Sequence, residues 1–463
     1  MPPKDLTSHS IPAADDPSLA EHGKERNRKL KRNVLVSVLL RSTSALVPLI
    51  VMPFLFRYLK IELYGVYETF TSFVLILGLG NAGLSYGLMN FLTVCFAERD
   101  HKKARELIST FLTASIVLLG TLAILGLVVA FVLPWQRVLK LSDGAASAHI
   151  SLAAAIAILF TLLTIFCGIM DAVYGAYQNF AAVSAWDAAS KFAATIAVVA
   201  VTYSTMGLVG AVCAGIGVPA LIKLAGVIDL FNFRLPEIRP QRSLYRREYL
   251  RALVVDGSLL FVLALSFSAI FQIDKMIIAV ISGPAQVARF SILSRIYFLV
   301  FGLYSLSFRS LWPAFGEAIH RQDFAWIKRS MWLTIVAGTV IISVASGALL
   351  CFSDPLYRLL LGKTNTAGMA PTPGIVLSFM VCFLVNAWTS CFSTVLNAAR
   401  VLRLQCVIAG SHALLTVLLM PVMIRHWGIS GAAWAPVIAS LPTSAWGYPW
   451  LVRKYIFKAG RNS

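Results

Sequence analysis

Apolar and polar positions alternate in long blocks along this chain. Twelve apolar runs, each more than 20 residues long, fill residues 34 to 452. Their boundaries are 34–56, 65–92, 107–134, 149–175, 182–204, 207–232, 252–273, 286–312, 331–352, 374–396, 404–424 and 430–452. Each is long enough to cross a hydrocarbon core of about 30 Å as an α-helix. Pro48, Pro53, Pro219, Pro421 and Pro436 fall inside runs, where neighbouring helices tolerate them as kinks.

One long polar stretch, Arg234 to Arg251, interrupts the pattern. It carries six arginines against Glu237 and Glu248, and Pro236 and Pro240 break any helix there. Six runs lie on each side of it. The halves also repeat: Gly207 to Ala214 and Gly428 to Ala435 share the pattern G-[LI]-x-G-A-x-x-A at an offset of 221 residues. Six is even, so both halves enter the membrane from the same side, as parallel repeats do. The predicted organisation is a disordered basic tail over 1–33, a six-helix lobe over 34–232, a basic linker over 233–251, a second six-helix lobe over 252–452 and a basic tail over 453–463. The predicted fold class is an all-α polytopic membrane protein of about twelve transmembrane helices in two six-helix lobes.

Composition agrees. Apolar residues make up 58% of the chain and charged residues 13%, against about 25% charged in a soluble domain. Mean hydropathy is +0.77. A formal charge of +19 would suit nucleic acid if it were clustered, but it lies in short segments between apolar runs and so reads as topology. With the N-terminus inside, 26 Lys and Arg fall on cytoplasmic segments and 8 on outer ones. That split predicts cytoplasmic termini in a bacterial inner membrane. The stretch before residue 34 has no short apolar core with a cleavage site, so it does not read as a signal peptide. The seven cysteines include no C-x-x-C pair and the histidines have no metal-ligand spacing. Gly78, Gly80 and Gly83 spell G-x-G-x-x-G, but no strand precedes them and they sit mid-run; close helix packing explains them.

Ionisable residues inside the runs are the informative chemistry. Each costs about 2.5–3.5 kcal/mol at the bilayer centre on the insertion scale, so it normally faces a cavity or a partner. Arg41, Lys191 and Arg295 are the candidate lining of a cationic chamber for an anionic head, because Arg grips phosphate bidentately. Asp187 and Asp256 are candidate ion-coupling carboxylates, and Asp187 stands four residues from Lys191 on one helical face. Arg289, Arg309, Lys223, Asp229 and Asp171 lie near run ends, where snorkelling or structural pairing accounts for them.

Pro53 to Tyr67, then Gly78 to Leu84, resembles the opening of the polysaccharide-transporter proteins. These include the Wzx-type O-antigen flippases of the multidrug/oligosaccharidyl-lipid/polysaccharide (MOP) exporter superfamily. Gln272 to Ile278 with Val287 to Ser291 resembles the start of that family's second half, as do Leu311 to Ala314 and Gly428 to Ala432; Arg289 adds a charge where the pattern has none. The resemblance covers roughly residues 33 to 455. It implies a V-shaped twelve-helix carrier, MATE-like in shape, that flips an isoprenoid-diphosphate-linked oligosaccharide through a cationic cavity. It implies an undecaprenyl-diphosphate-type glycolipid as substrate, contact with membrane lipids, and a polysaccharide polymerase and other assembly proteins as partners. It implies no cofactor, no metal and no nucleic acid.

Three other classes compete. A MATE-like multidrug or cation antiporter would need an acidic chamber, and basic residues are at least as numerous at depth. A membrane glycosyltransferase or polymerase would need a catalytic outer loop. The longest, Ser353 to Gly374, offers only Asp354, and the first offers only Glu62; the chain is therefore not expected to be an enzyme. A non-transporting scaffold would tolerate neutral substitution of Arg41 and Arg295.

Overall fold

The computed structural model describes residues 47–74 (except 48), 85–141 (except 86), 149–361 (except 178) and 369–457. The N-terminal tail, Arg41 and the G-x-G-x-x-G stretch lie outside the described residues. Each of the twelve apolar runs falls at least in part on described helix, and no strand occurs among the described residues.

The first half contains α1 (residues 49–74), α2 (Gly87–Ala97), α3 (His101–Val132), α4 (Ile150–Ala176) and α5 (Phe180–Val201). It closes with α6, Gly207–Arg234, in which Cys213–Gly217 and Leu230–Arg234 widen into π turns. The second half contains α7 (Arg247–Phe271), α8 (Ile273–Ser282), α9 (Pro284–His320), α10 (Phe324–Leu361), α11 (Pro373–Ala398), α12 (Leu402–Trp427), α13 (Ile429–Ser440) and α14 (Ser444–Val452). Nine helices among the described residues are long and apolar enough to cross a membrane.

Two expected boundaries need correction. Residues 57–64 are a tight helical corner rather than an extended loop. Helix runs through them and turns at Lys60, whose φ of 57° is left-handed. The seventh crossing does not end at 273. After a break at Gln272 it continues as α8 to Ser282. Asp274 and Lys275 gave the false ending, yet both side chains are buried and partnered.

The corners between helices follow one design. Arg99, Lys140, Gln322 and Arg400 each adopt positive φ. Beyond each, a backbone N–H reaches back to close the helix: Asp100 to Cys95, Leu141 to Gln136, Asp323 to Ala318 and Val401 to Leu396, at 2.8–3.0 Å. This is the Schellman closure. Asp100 then caps the next helix by accepting from the Lys103 amide (2.9 Å), and Asp323 does the same for Trp326 (3.0 Å), 223 residues later. Gly207 and Gly428, the first glycines of the repeated motif, both have left-handed φ, 57° and 60°. Close packing therefore does not explain the whole motif. Its first glycine makes the turn into a helix, and its fourth position needs smallness. At Gly431 a Cβ would run into the carbonyl of Met423.

The ends of the bundle differ. At the end away from the 234–251 linker, residues of both halves share one apolar core; Leu55, Tyr64, Ile158 and Val212 belong to the same cluster as Phe290, Tyr297, Phe379 and Ile424. At the linker end the halves keep separate cores, one around Leu107, Met170 and Leu230 and one around Phe315, Cys391 and Leu451. Among the described residues, the bundle is joined at its far end and divided at its linker end.

Candidate functional site

The linker is not a free hinge. It forms two short 3-10 turns, Pro236–Ile238 and Arg242–Leu244, and lies along the first turns of α3. Arg105 Nε donates to the Arg239 carbonyl (2.7 Å), the Gln241 amide to Ser109 Oγ (3.0 Å), and the Arg246 amide to Thr110 Oγ1 (2.9 Å). Tyr249 donates to Glu106 (3.3 Å). Burial and that carboxylate hold the phenol above its usual range, so it remains a donor. Residues 105, 106, 109 and 110 share one helical face, and the strap runs down it.

At the joined end, one buried charge cluster spans the two halves. Glu68 on α1 is fully buried. It accepts from Arg295 of α9, and Lys275 Nζ of α8 lies 3.3 Å from its other oxygen. Asp274, also buried, accepts from the Lys275 amide (2.7 Å). Two acids and two bases thus sit in one apolar seam, and a buried charge is tolerated only when so compensated. Around them, Lys140 Nζ of the first half donates to the Ile281 carbonyl (2.7 Å), and Arg57 Nε to the Leu361 carbonyl (3.4 Å). Helix contact is close as well: a Cβ on Gly65 would collide with the carbonyl of Pro284.

The predicted site residues are not gathered in one place. Arg295 is in this seam, half-buried and bound to Glu68. Lys191 is on an exposed face of α5. Asp187 meets Lys223 of α6 at 2.9 Å, so its partnership crosses helices. Arg41 lies outside the described residues, and Asp256 falls on α7 with its side chain outside them. Glu68 and Lys275 went unflagged in the sequence. Glu68 lies within the apolar run 65–92, the same signal that marked Arg295, whereas Lys275 looked like an outer-loop charge.

Comparison with known proteins places this geometry. The family described as polysaccharide biosynthesis protein matches residues 30–319. A candidate O-antigen transporter of Salmonella typhi is 22% identical over 426 residues, covering 90% of this chain and 93% of the relative. Among solved structures, a MATE family multidrug resistance transporter of the MOP superfamily, in an inward-facing conformation, superposes with a TM-score of 0.76 at 15% identity, covering 91% of this chain and 96% of the other. The lipid II flippase MurJ, in an inward closed conformation, superposes with a TM-score of 0.73 at 12% identity, covering 92% and 90%.

Proposed function

Because the chain belongs to the polysaccharide biosynthesis protein family, we propose that it flips an undecaprenyl-diphosphate-type oligosaccharide from the inner to the outer leaflet of a bacterial cytoplasmic membrane. The observation that carries this reading is the asymmetry of the bundle, joined at one end over the Glu68–Arg295–Lys275 cluster and divided at the other. The Lys- and Arg-rich segments put the divided end in the cytoplasm, so the state described is one that loads from inside.

The physics of the substrate fits a divided bundle. Taking a long isoprenoid out of lipid costs about 0.8 kcal/mol per CH₂, so the tail stays in the bilayer and only the head passes between the halves. The diphosphate cannot cross bare hydrocarbon and needs cations in place of water. In the closed seam, Glu68 occupies Arg295 and Lys275. When the seam parts, Glu68 leaves with the first half. The two cations, both on the second half, are then without their carboxylate, and an arriving diphosphate replaces it. Glu68 thus acts as the resident counterion, and closing the seam restores it and releases the head. In an interior-negative cell, each negative charge moved outward gains about 2.3 kcal/mol per 100 mV, so the potential assists export.

The test is leaflet-to-leaflet transfer of a fluorescent isoprenoid-diphosphate oligosaccharide in proteoliposomes, with and without an imposed potential. Wild-type protein should transfer it, faster when the starting side is negative, and Arg295→Ala and Arg41→Ala should each lose most of the rate. Transfer untouched by both variants would sink the cationic pathway. Absence of transfer together with uptake of an organic cation would make the protein an antiporter.

A further inference from the structure

A cavity, unlike the charged seam in its lining, lies inside the second half. It is walled by α7, α11, α12, α13 and α14 and holds about 200 Å³, room for a single hexose ring or, at about 30 Å³ each, some six waters. None of its lining residues is an acid, a lysine or an arginine. Its polar wall is made of neutral groups that donate, accept or do both: Asn386, Ser390, Ser393, Gln405 and Ser444. Its apolar wall includes Phe267 and Phe271, ring centroids 5.0 Å apart; Phe267 is 44% exposed, while Phe271 is buried.

Two of these polar groups are unfinished. Gln405, 1% exposed, donates from Nε2 to Ser393 Oγ (2.7 Å), but its Oε1 is buried without a partner. Asn386, 7% exposed, meets Ser390 Oγ through Oδ1 (3.4 Å), but its Nδ2 is buried without a partner. Turning either amide only exchanges which atom is left over. A buried polar atom without a partner is costly, so an open acceptor and an open donor on two residues that line one cavity mark a place for a hydroxylated guest. His412 and Ser444 are already engaged. The Pro436 carbonyl can only accept, so His412 Nε2 carries the proton (2.9 Å), and Nδ1 accepts from Ser444 (3.0 Å). Both ring nitrogens are engaged, which holds the ring in place.

We propose that this cavity binds one uncharged pyranose of the transported glycan. The sugar's hydroxyls complete Asn386 and Gln405, and its C–H face packs on Phe267 and Phe271. Neutral amides and hydroxyls beside an aromatic face fit a sugar, whereas a diphosphate would need cations and an organic cation would need a carboxylate. The division of labour follows: the seam handles the charged end of the head, and this cavity reads a sugar. The inference rests on the flippase reading only for the word "transported"; sugar binding itself does not depend on it.

Saturation-transfer NMR on the purified full chain with methyl pyranosides (glucose, galactose, mannose, rhamnose and N-acetylglucosamine forms) tests it directly. At least one glycoside should show saturation transfer, and that signal should fall at least fivefold in Asn386→Leu and in Ser390→Phe. Gln405→Glu, which keeps the acceptor but adds a charge, separates recognition from folding if its melting temperature stays at the wild-type value while the signal drops. No binding by any glycoside, or binding unchanged in all three variants, overturns the proposal. Parallel transfer assays on the same preparations keep the two readings apart. Wild-type protein that binds the glycoside but transfers no lipid-linked glycan contradicts the flippase reading alone, and Ser390→Phe protein that loses binding but transfers normally contradicts only the assignment of the bound sugar to the transported glycan.

Discussion

The two ends of this bundle solve opposite problems with opposite materials. At the joined end, the halves meet through a common apolar core, backbone-to-backbone approach at Gly65 and Pro284, and a charge cluster buried to zero exposure at Glu68. At the divided end they are bridged by a strap of ordinary hydrogen bonds along α3, part-buried or exposed. The contrast teaches where the conformational choice is made. Water at the divided end can satisfy any bond that breaks, so opening or closing there is cheap in polar terms. At the joined end, every broken bond strands a charge or a carbonyl unless something replaces it.

The largest expected effect comes from forcing the joined end apart. Gly65→Ala puts a methyl group into the Pro284 carbonyl, and the helix backbone has no flexible side chain to yield there. Spin labels on Gln136→Cys and Ser282→Cys, after replacement of the native cysteines, should report a wider separation across that end, with transfer reduced more than tenfold. An unchanged distance would show that α1 and α9 can slide past each other. Next comes Glu68→Gln, which leaves Arg295 and Lys275 buried without their carboxylate. Removing one partner of a buried pair costs about 3–5 kcal/mol, so the same label pair should widen and the melting temperature should drop. Adding Arg295→Gln should recover part of the loss. A double variant as unstable as the sum of the singles would mean that the two residues are not coupled.

The divided end should respond more weakly. Thr110→Ala and Ser109→Ala each remove one acceptor for a linker amide, worth about 0.5–1.5 kcal/mol. A small fall in thermal stability with no change in the far-end distance is expected; a change at the far end would instead reveal long-range coupling through α3. Smallest of all, Arg246→Gln removes a long 3.9 Å pair between an exposed guanidinium and the buried Glu106 and should shift stability by no more than about 1 kcal/mol, with the shift reduced at high salt.

The sequence shows this fold well because lipid demands long apolar runs and little else resembles them. It misleads where charges are neutralised inside the protein. Asp274 and Lys275 look like the end of a crossing only while Glu68, 207 residues away from Lys275, is out of view. Arg57, Lys60 and Glu62 together look like a loop, whereas the chain turns at Lys60 alone, with helix on both sides. The candidate site was half legible. Arg295 stands out as an arginine inside an apolar run, but its partner across the seam cannot be read from spacing. Asp187 shows the same limit: its spacing points to Lys191, and its neighbour in space includes Lys223. The neutral cavity left no trace at all, since Ser, Asn and Gln scattered among apolar residues look like ordinary helix glue.

The strap along α3 also bears on how the protein is made. Its bonds from the linker end on Arg105, Glu106, Ser109 and Thr110, residues that leave the ribosome well before the linker does. The place where the second half starts is therefore set by chain already synthesised. Domains generally fold as units in order of synthesis, and here the first unit carries the mooring for the second. Assembly reduces to docking a bundle whose first helix is tethered from the outset, with the far-end seam as the last joint to close.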